Sequence, residues 1–135
     1  VVDLSLAELE REAGAWWRRL PRGGVLWLSG DLGTGKTTFV QALARAAGAT
    51  PARSPTFALV HEYPSPEGSL IHVDCFRLKQ AEEAMDLDLV REAARARLLV
   101  IEWPERAGPY APGPDAHLRF AHCEVSDRRR LEVVE

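Results

Sequence analysis

The chain has 135 residues, 46% of them hydrophobic and 27% charged, with 20 acidic and 17 basic side chains and a net charge of −3. That length and composition fit one globular domain with an ordinary core and leave no room for a separate substrate or effector domain. An acidic balance, with pI near 5.8, argues against a large nucleic-acid footprint, and no apolar run approaches the ~20 residues of a membrane span.

The N-terminus opens on the mixed, charged stretch Val1 to Glu8, so no secretory signal is expected and the expected location is cytoplasmic. Cys75 and Cys123 stand far apart with no CxxC or Cys/His spacing. Both are therefore expected as small buried hydrophobes in a reducing compartment, not as a disulfide or a zinc site.

Leu4, Leu6, Leu9, Ala13, Trp16, Trp17 and Leu20 recur at helical spacing, and Ser5 three residues before Glu8 gives a capping-box pattern. Pro21 with Gly23-Gly24 stops this helix. Val25-Leu26-Trp27-Leu28 reads as a strand buried on both faces, and it feeds a glycine-rich loop. Residues 36–47 read as an amphipathic helix closed by Gly48. Beyond Pro51 and Pro55, residues 58–63 and 69–76 read as strands joined by a loop over 64–68. Residues 82–96 are expected to be helical, and Leu98-Leu99-Val100-Ile101 is a second continuous apolar run, ending at Glu102. The tail, 116–125 and 128–134, reads as two strands about the turn Ser126-Asp127. Strands alternating with helices before a final hairpin predict one α/β domain over residues 1–135, with a mostly parallel central sheet and antiparallel edges.

Gly30-Asp31-Leu32-Gly33-Thr34-Gly35-Lys36-Thr37 matches GxxxxGK[ST] in full and lies between a buried strand and an amphipathic helix, the context that marks a P-loop. A chance match in a chain this long is expected about once in 200 sequences, before that context is required. Gly30, Gly33 and Gly35 allow backbone conformations closed to other residues and turn successive N–H groups toward an anion at the positive end of the following helix. Lys36 is then expected on the β- and γ-phosphates and the Thr37 hydroxyl on Mg²⁺, while Thr38 either touches the α-phosphate or bonds back into its own helix. Only Lys36 and Lys79 are lysines among 17 basic residues. A compact ammonium on a thin stem suits the gap between phosphates better than a guanidinium.

A P-loop needs a carboxylate for the metal and a group to position water, both expected at the carboxyl ends of neighbouring strands. Asp74 ends Leu70-Ile71-His72-Val73, and Glu102 ends Leu98-Leu99-Val100-Ile101. The competing reading of each is a carboxylate that merely caps a turn. His61 and His72 lie in strands, where a hydrogen-bonded structural role is the simpler reading, and His117 and His122 flank an expected edge strand without a ligand pattern. Trp16-Trp17 reads as core, and Arg128-Arg129-Arg130 as a solvated turn or edge strand.

Taken together, Gly30 to Phe39, Ser54-Pro55-Thr56-Phe57, His72-Val73-Asp74-Cys75-Phe76-Arg77-Leu78 and Glu102-Trp103-Pro104-Glu105 resemble the bacterial TsaE (YjeE) ATPases of tRNA threonylcarbamoyladenosine formation. The resemblance covers residues 24–106. It implies a P-loop NTPase fold with ATP and Mg²⁺ as ligands: Asp31, Leu32, Gly33, Thr34, Gly35, Lys36, Thr37 and Thr38 around the nucleotide, and Thr37 and Glu102 on the metal. It further implies that Asp74 assists hydrolysis and that Thr56 lies in a switch-like loop sensing the γ-phosphate. The implied partners are TsaB and TsaD, which modify adenosine 37 of tRNAs reading codons that begin with A; tRNA contact is indirect, no membrane is involved, and the isolated chain is expected to be a monomer. Cys75-Phe76 stands where Leu-Tyr is commoner, and Glu10 stands four residues before Gly14 where such proteins often carry Thr.

Other readings remain open on sequence. A small-molecule kinase would need a lid with several arginines, and none is evident; a GTPase would need an NKxD motif after the P-loop, and none appears. A nucleotide-gated binding module with negligible turnover would share every feature of the loop.

Overall fold

The computed structural model describes residues 2–50, 59–124 and 128–134. Its strands are Val2–Leu4 (β1), Gly24–Ser29 (β2), Val60–Tyr63 (β3), Leu70–Asp74 (β4), Leu98–Glu102 (β5), Ala116–His122 (β6) and Arg129–Val133 (β7). They form one sheet in the order β1-β7-β6-β2-β5-β4-β3. β6, β2, β5 and β4 run parallel; β3 on one flank and β7 with β1 on the other are antiparallel. The expected α/β sheet with a parallel centre and antiparallel edges is thus the one present.

Helices cover both faces, as a sheet of continuous apolar strands requires. Leu6–Arg19 (α1) and Lys36–Ala47 (α2) pack on one face, against Leu26 and Leu28, Leu98 and Val100, and Leu118 and Phe120. A 3₁₀ segment at Ala81–Leu87, then Leu89–Arg95 (α3) and Pro104–Ala107 (α4), cover the other, against Val25, Ile71, Val73, Leu99 and Ile101. Alternation along β2, β4 and β5 divides their residues between two cores.

Local chemistry explains the boundaries. Ser5 Oγ accepts from Glu8 N–H at 3.2 Å while Glu8 Oε1 accepts from Ser5 N–H at 3.0 Å, a reciprocal cap whose loss costs about 1 kcal/mol. At the other end of α1, buried Arg97 donates to the carbonyls of Trp17 (2.7 Å) and Pro21 (3.3 Å) and lies over the Trp17 ring. Trp16 and Trp17 are core residues, as read. Gly48 closes α2 in the left-handed conformation, as the sequence predicts.

Three expectations are corrected. The helix expected over 82–96 breaks at Asp88, which takes φ 47° and accepts from Arg91 N–H to cap α3; a short polar side chain tolerates that conformation and supplies the cap itself. β6 is not an edge strand, because it lies between β2 and β7, and β7 is in turn covered by β1, a strand the sequence did not signal. Cys75 is buried, but Cys123 is only partly so. Among the described residues no helix is long and apolar enough to cross a membrane. The turn read at Ser126-Asp127 lies outside the described residues.

Candidate nucleotide site

The glycine-rich loop leaves the carboxyl end of β2, which has parallel neighbours on both sides. Gly30, Gly33 and Gly35 have φ of 132°, 76° and 111°, so side chains there would be strained. Gly30 has a second reason to be glycine: a Cβ would stand 2.2 Å from the Phe120 carbonyl oxygen. The loop is therefore seated directly on β6. Thr34 is buried and its hydroxyl donates to the Asp31 carbonyl at 2.7 Å, tying the loop across its tip.

α2 begins differently from its neighbours. Ser5 caps α1 and Asp88 caps α3, whereas the α2 N-cap is Gly35, with no side-chain cap and no acidic residue in the first turn. Its leading N–H groups and dipole are thus uncompensated by protein, which is the condition of an anion site. Lys36 is only 5% exposed. Its Nζ donates to the carbonyls of Gly30 and, at 3.0 Å, Asp31, and stands 4.7 Å from the Trp103 ring centroid. Burial pulls the ammonium below its ordinary range, opposed by Glu102, Asp74, Asp31 and Glu105. A bound phosphate would supply the negative charge that this position lacks at close range.

Asp74 and Glu102 are register partners at the ends of β4 and β5. Together with Leu32, Gly33, Gly35, Lys36, Thr37, Thr38, Trp103 and Arg129 they line a cleft of about 280 Å³, just below the usual range for ligand sites. It opens at the carboxyl ends of parallel strands, where α/β sheets bind ligands. Asp74 Oδ1 accepts from Phe76 N–H at 3.0 Å, so this carboxylate does cap the turn that follows its strand. Glu102 is buried and its Oε2 is 2.5 Å from His72 Nε2. Among the described residues no three His, Cys, Asp or Glu side chains form a metal cage. A magnesium ion arriving with a nucleotide needs none, because phosphate oxygens and waters fill most of its six positions. The donor set of one hydroxyl and one or two carboxylates beside an uncapped helix fits Mg-nucleotide.

The expected site residues Leu32, Gly33, Gly35, Lys36, Thr37, Thr38, Asp74 and Glu102 thus converge on one cleft. Asp31 and Thr34 belong to the loop but not to the cleft wall. Thr56 lies outside the described residues. Two cleft residues were not anticipated. Trp103 takes φ 56° at the start of α4, donates its N–H to the Leu28 carbonyl, and meets Phe76 at 5.1 Å between centroids with the rings tilted by 50°. The left-handed backbone and the following Pro104 turn its ring toward Lys36.

Arg129 corrects the reading of residues 128–130 as a solvated run. Arg128 pairs with Glu8 and Arg130 with Asp3 at the surface, but the stem of Arg129 lies 3.1 Å from where a Gly35 Cβ would stand. His122 also approaches, its Cε1 being 3.9 Å from a Gly33 Cβ position. Glu10, in α1, forms an exposed ion pair with Arg45 at 2.6 Å. Arg106 lies over the Phe76 and Trp103 rings and donates to the Phe76 carbonyl at 3.0 Å.

Comparison with known proteins agrees with this geometry. The family model for threonylcarbamoyl adenosine biosynthesis protein TsaE matches residues 5–131. A tRNA threonylcarbamoyladenosine biosynthesis protein TsaE of Nostoc is 41% identical over 114 residues, 82% of this chain and 70% of that protein. Its counterpart in Aquifex aeolicus is 42% identical over 88 residues, 63% of this chain and 61% of the relative, and that of Rickettsia bellii is 36% identical over 109, 79% and 75%. The crystal structure of Bacillus subtilis YdiB superposes with a TM-score of 0.74 at 22% identity, covering 98% of this chain and 84% of that one. The architecture is that of a P-loop NTPase, and the chain belongs to the TsaE family of threonylcarbamoyl adenosine biosynthesis proteins.

Proposed function

We propose that the chain binds Mg-ATP at the 30–38 loop and hydrolyses it, serving threonylcarbamoylation of adenosine 37 in tRNA together with TsaB and TsaD. The carrying observation is the uncapped start of α2, with buried Lys36 behind a positive-φ glycine loop, facing register-paired Asp74 and Glu102 across one cleft. Residues of one sign hold phosphate and residues of the other hold what bridges phosphates. The names of the relatives point to the pathway.

In this reading the loop N–H groups and Lys36 Nζ bind the phosphates, with Lys36 exchanging its carbonyl partners for phosphate oxygens. Thr37 Oγ1 and Glu102 would hold magnesium, which would supply positive charge to offset that of the phosphates. Asp74 orients the attacking water. The Trp103 ring lies against the Lys36 ammonium and narrows solvent access. Phosphoryl transfer to water also gains roughly 10³ to 10⁵ in rate from an arginine at the γ-phosphate. Turnover by the isolated chain is expected to be slow, and docking of partners to accelerate it.

The test measures nucleotide affinity with and without Mg²⁺, then phosphate release by the chain alone and with TsaB and TsaD. Magnesium-dependent ATP binding and partner-stimulated release are expected, with ATP preferred to GTP. Absence of nucleotide binding would overturn the reading, and phosphate appearing on a metabolite in place of water would make the protein a kinase.

A further inference from the structure

Five polar or charged residues are buried among the described residues: Thr34, Lys36, His72, Arg97 and Glu102. Arg97 closes the end of α1, at the opposite end of β5 from Glu102. Thr34, Lys36 and Glu102 belong to the loop and cleft already described. His72 is left, with no contact to the cleft of its own.

Its setting is apolar by design. On the α1–α2 face, β5 presents Leu98 and Val100 and β4 presents Leu70 below the cleft, and all three are completely buried. Position 72 continues the Leu70 column and is the register partner of Val100. Aliphatic side chains at both 72 and 102 would extend the core there, and exchanging both partners of a buried polar pair for packed hydrophobes is often neutral or favourable. Stability therefore does not account for the pair, and histidine is there because Glu102 is. What histidine supplies is a nitrogen 2.5 Å from the Glu102 carboxylate, diagonally across the parallel pair β4–β5.

The ring itself is fixed from the other side. His61, its register partner on β3, stacks on it with centroids 5.9 Å apart and planes 24° from parallel. A carboxylate held at one oxygen by an immobile ring keeps its second oxygen available in one orientation. Metal-binding carboxylates are commonly held in this way, and removing the holding group typically lowers metal affinity 10–100-fold.

We propose that His72, steadied by His61, is a positioning residue that holds the Glu102 carboxylate in the orientation that receives magnesium. The inference rests on the Mg-nucleotide reading of the cleft. His72 touches neither nucleotide nor metal and acts only through Glu102.

The experiment titrates Mg²⁺ into the folded chain with a fluorescent, non-hydrolysable ATP analogue, and reads the Mg²⁺ concentration at half-effect beside the affinity in EDTA. His72→Phe keeps a ring but no donor; His72→Gln returns an N–H near the Nε2 position, and His72→Asn carries an amide too short to reach. Phe and Asn variants are expected to need about 10–100-fold more Mg²⁺, with EDTA affinity unchanged and His72→Gln close to wild type. Should His72→Phe not fold, the contrast between Gln and Asn carries the test. Equal Mg²⁺ requirements for Asn, Gln and wild type would overturn the proposal, as would an equal loss of affinity in EDTA, the mark of a merely structural residue. A wild-type chain that binds the analogue indifferently to Mg²⁺ would instead bring down the Mg-nucleotide reading, and this inference with it.

Discussion

Asp74 and Glu102 stand side by side as the last residues of adjacent parallel strands, and the Cys75 N–H donates to the Glu102 carbonyl at 3.0 Å. Two carboxylates so placed are not equivalent. Glu102 is buried and held by His72, whereas Asp74 is partly exposed and turned into the bend before Phe76.

That difference predicts separable phenotypes. Glu102→Gln should weaken the Mg²⁺ dependence of ATP binding, and Asp74→Asn should slow turnover by at least 10-fold while binding is largely kept. Calorimetric titration in Mg²⁺ and in EDTA, beside single-turnover hydrolysis, reads both. Exchanged phenotypes would exchange the roles, and two silent variants would leave only the turn-capping and core contacts already visible.

Lys36→Ala should abolish useful ATP binding while leaving the fold within about 1 kcal/mol of wild type. The side chain is buried, yet its ammonium sits there below its ordinary pKa range because burial disfavours the charge. The sign follows: the unfolded chain holds this proton more tightly, so below the ordinary lysine range the charged group lowers stability. Removing it relieves that penalty, against the loss of bonds to Gly30 and Asp31. Thermal melts without nucleotide, paired with ATP titration, check the prediction; unfolding of the variant would make Lys36 a core residue.

The parts legible in sequence were those written in consecutive residues. Leu98 to Glu102 reads as an apolar strand ending in an acid because strands buried on both faces have no alternation to interrupt. The loop and α2 were equally plain, since glycine, lysine and helical periodicity fall within eighteen residues. Arg129 and His72 were not, for different reasons. Arg129 reaches Gly35 because the register of β7 on β6 sets it opposite His122, beside the loop, and no run of consecutive residues announces that register. His72 looked like any strand histidine, because its partner lies thirty residues away and is chosen by the register of β4 against β5. Asp88 broke an expected helix through a local cap that competes with helix continuation.

Cys75 should be inert to thiol reagents in the native chain and Cys123 should react. Cys75 is wholly buried, and burial, reinforced by Asp74, Glu105 and Glu102, pushes its thiol up to about 12. Thiolate, the reacting form, is then negligible at pH 8. Thiol titration at that pH should count one fast site, with the second appearing only in denaturant. Two fast sites would mean that the β4 end opens readily beside Asp74.

Acid should destabilise the fold through His117, away from the cleft carboxylates. Its Nε2 lies 2.6 Å from Ser29 Oγ, and its ring meets Trp27 edge-on at 5.5 Å. Burial lowers its pKa below the ordinary 6.5, Arg119 adds to the effect and Glu105 opposes it. As pH falls through 6.5 the unfolded chain takes up this proton before the folded one does, so the unfolded state binds more protons and stability declines. The decline ends below the folded pKa, where both states are charged. His117→Gln, which keeps a polar contact for Ser29 without titrating, should therefore flatten the melting temperature against pH just below about 6.5, while carboxylate-driven losses at lower pH persist. An unchanged slope in that window would place the acid sensitivity elsewhere. A steeper slope would mean that His117 gains a proton on folding, and with it that Glu105 outweighs burial.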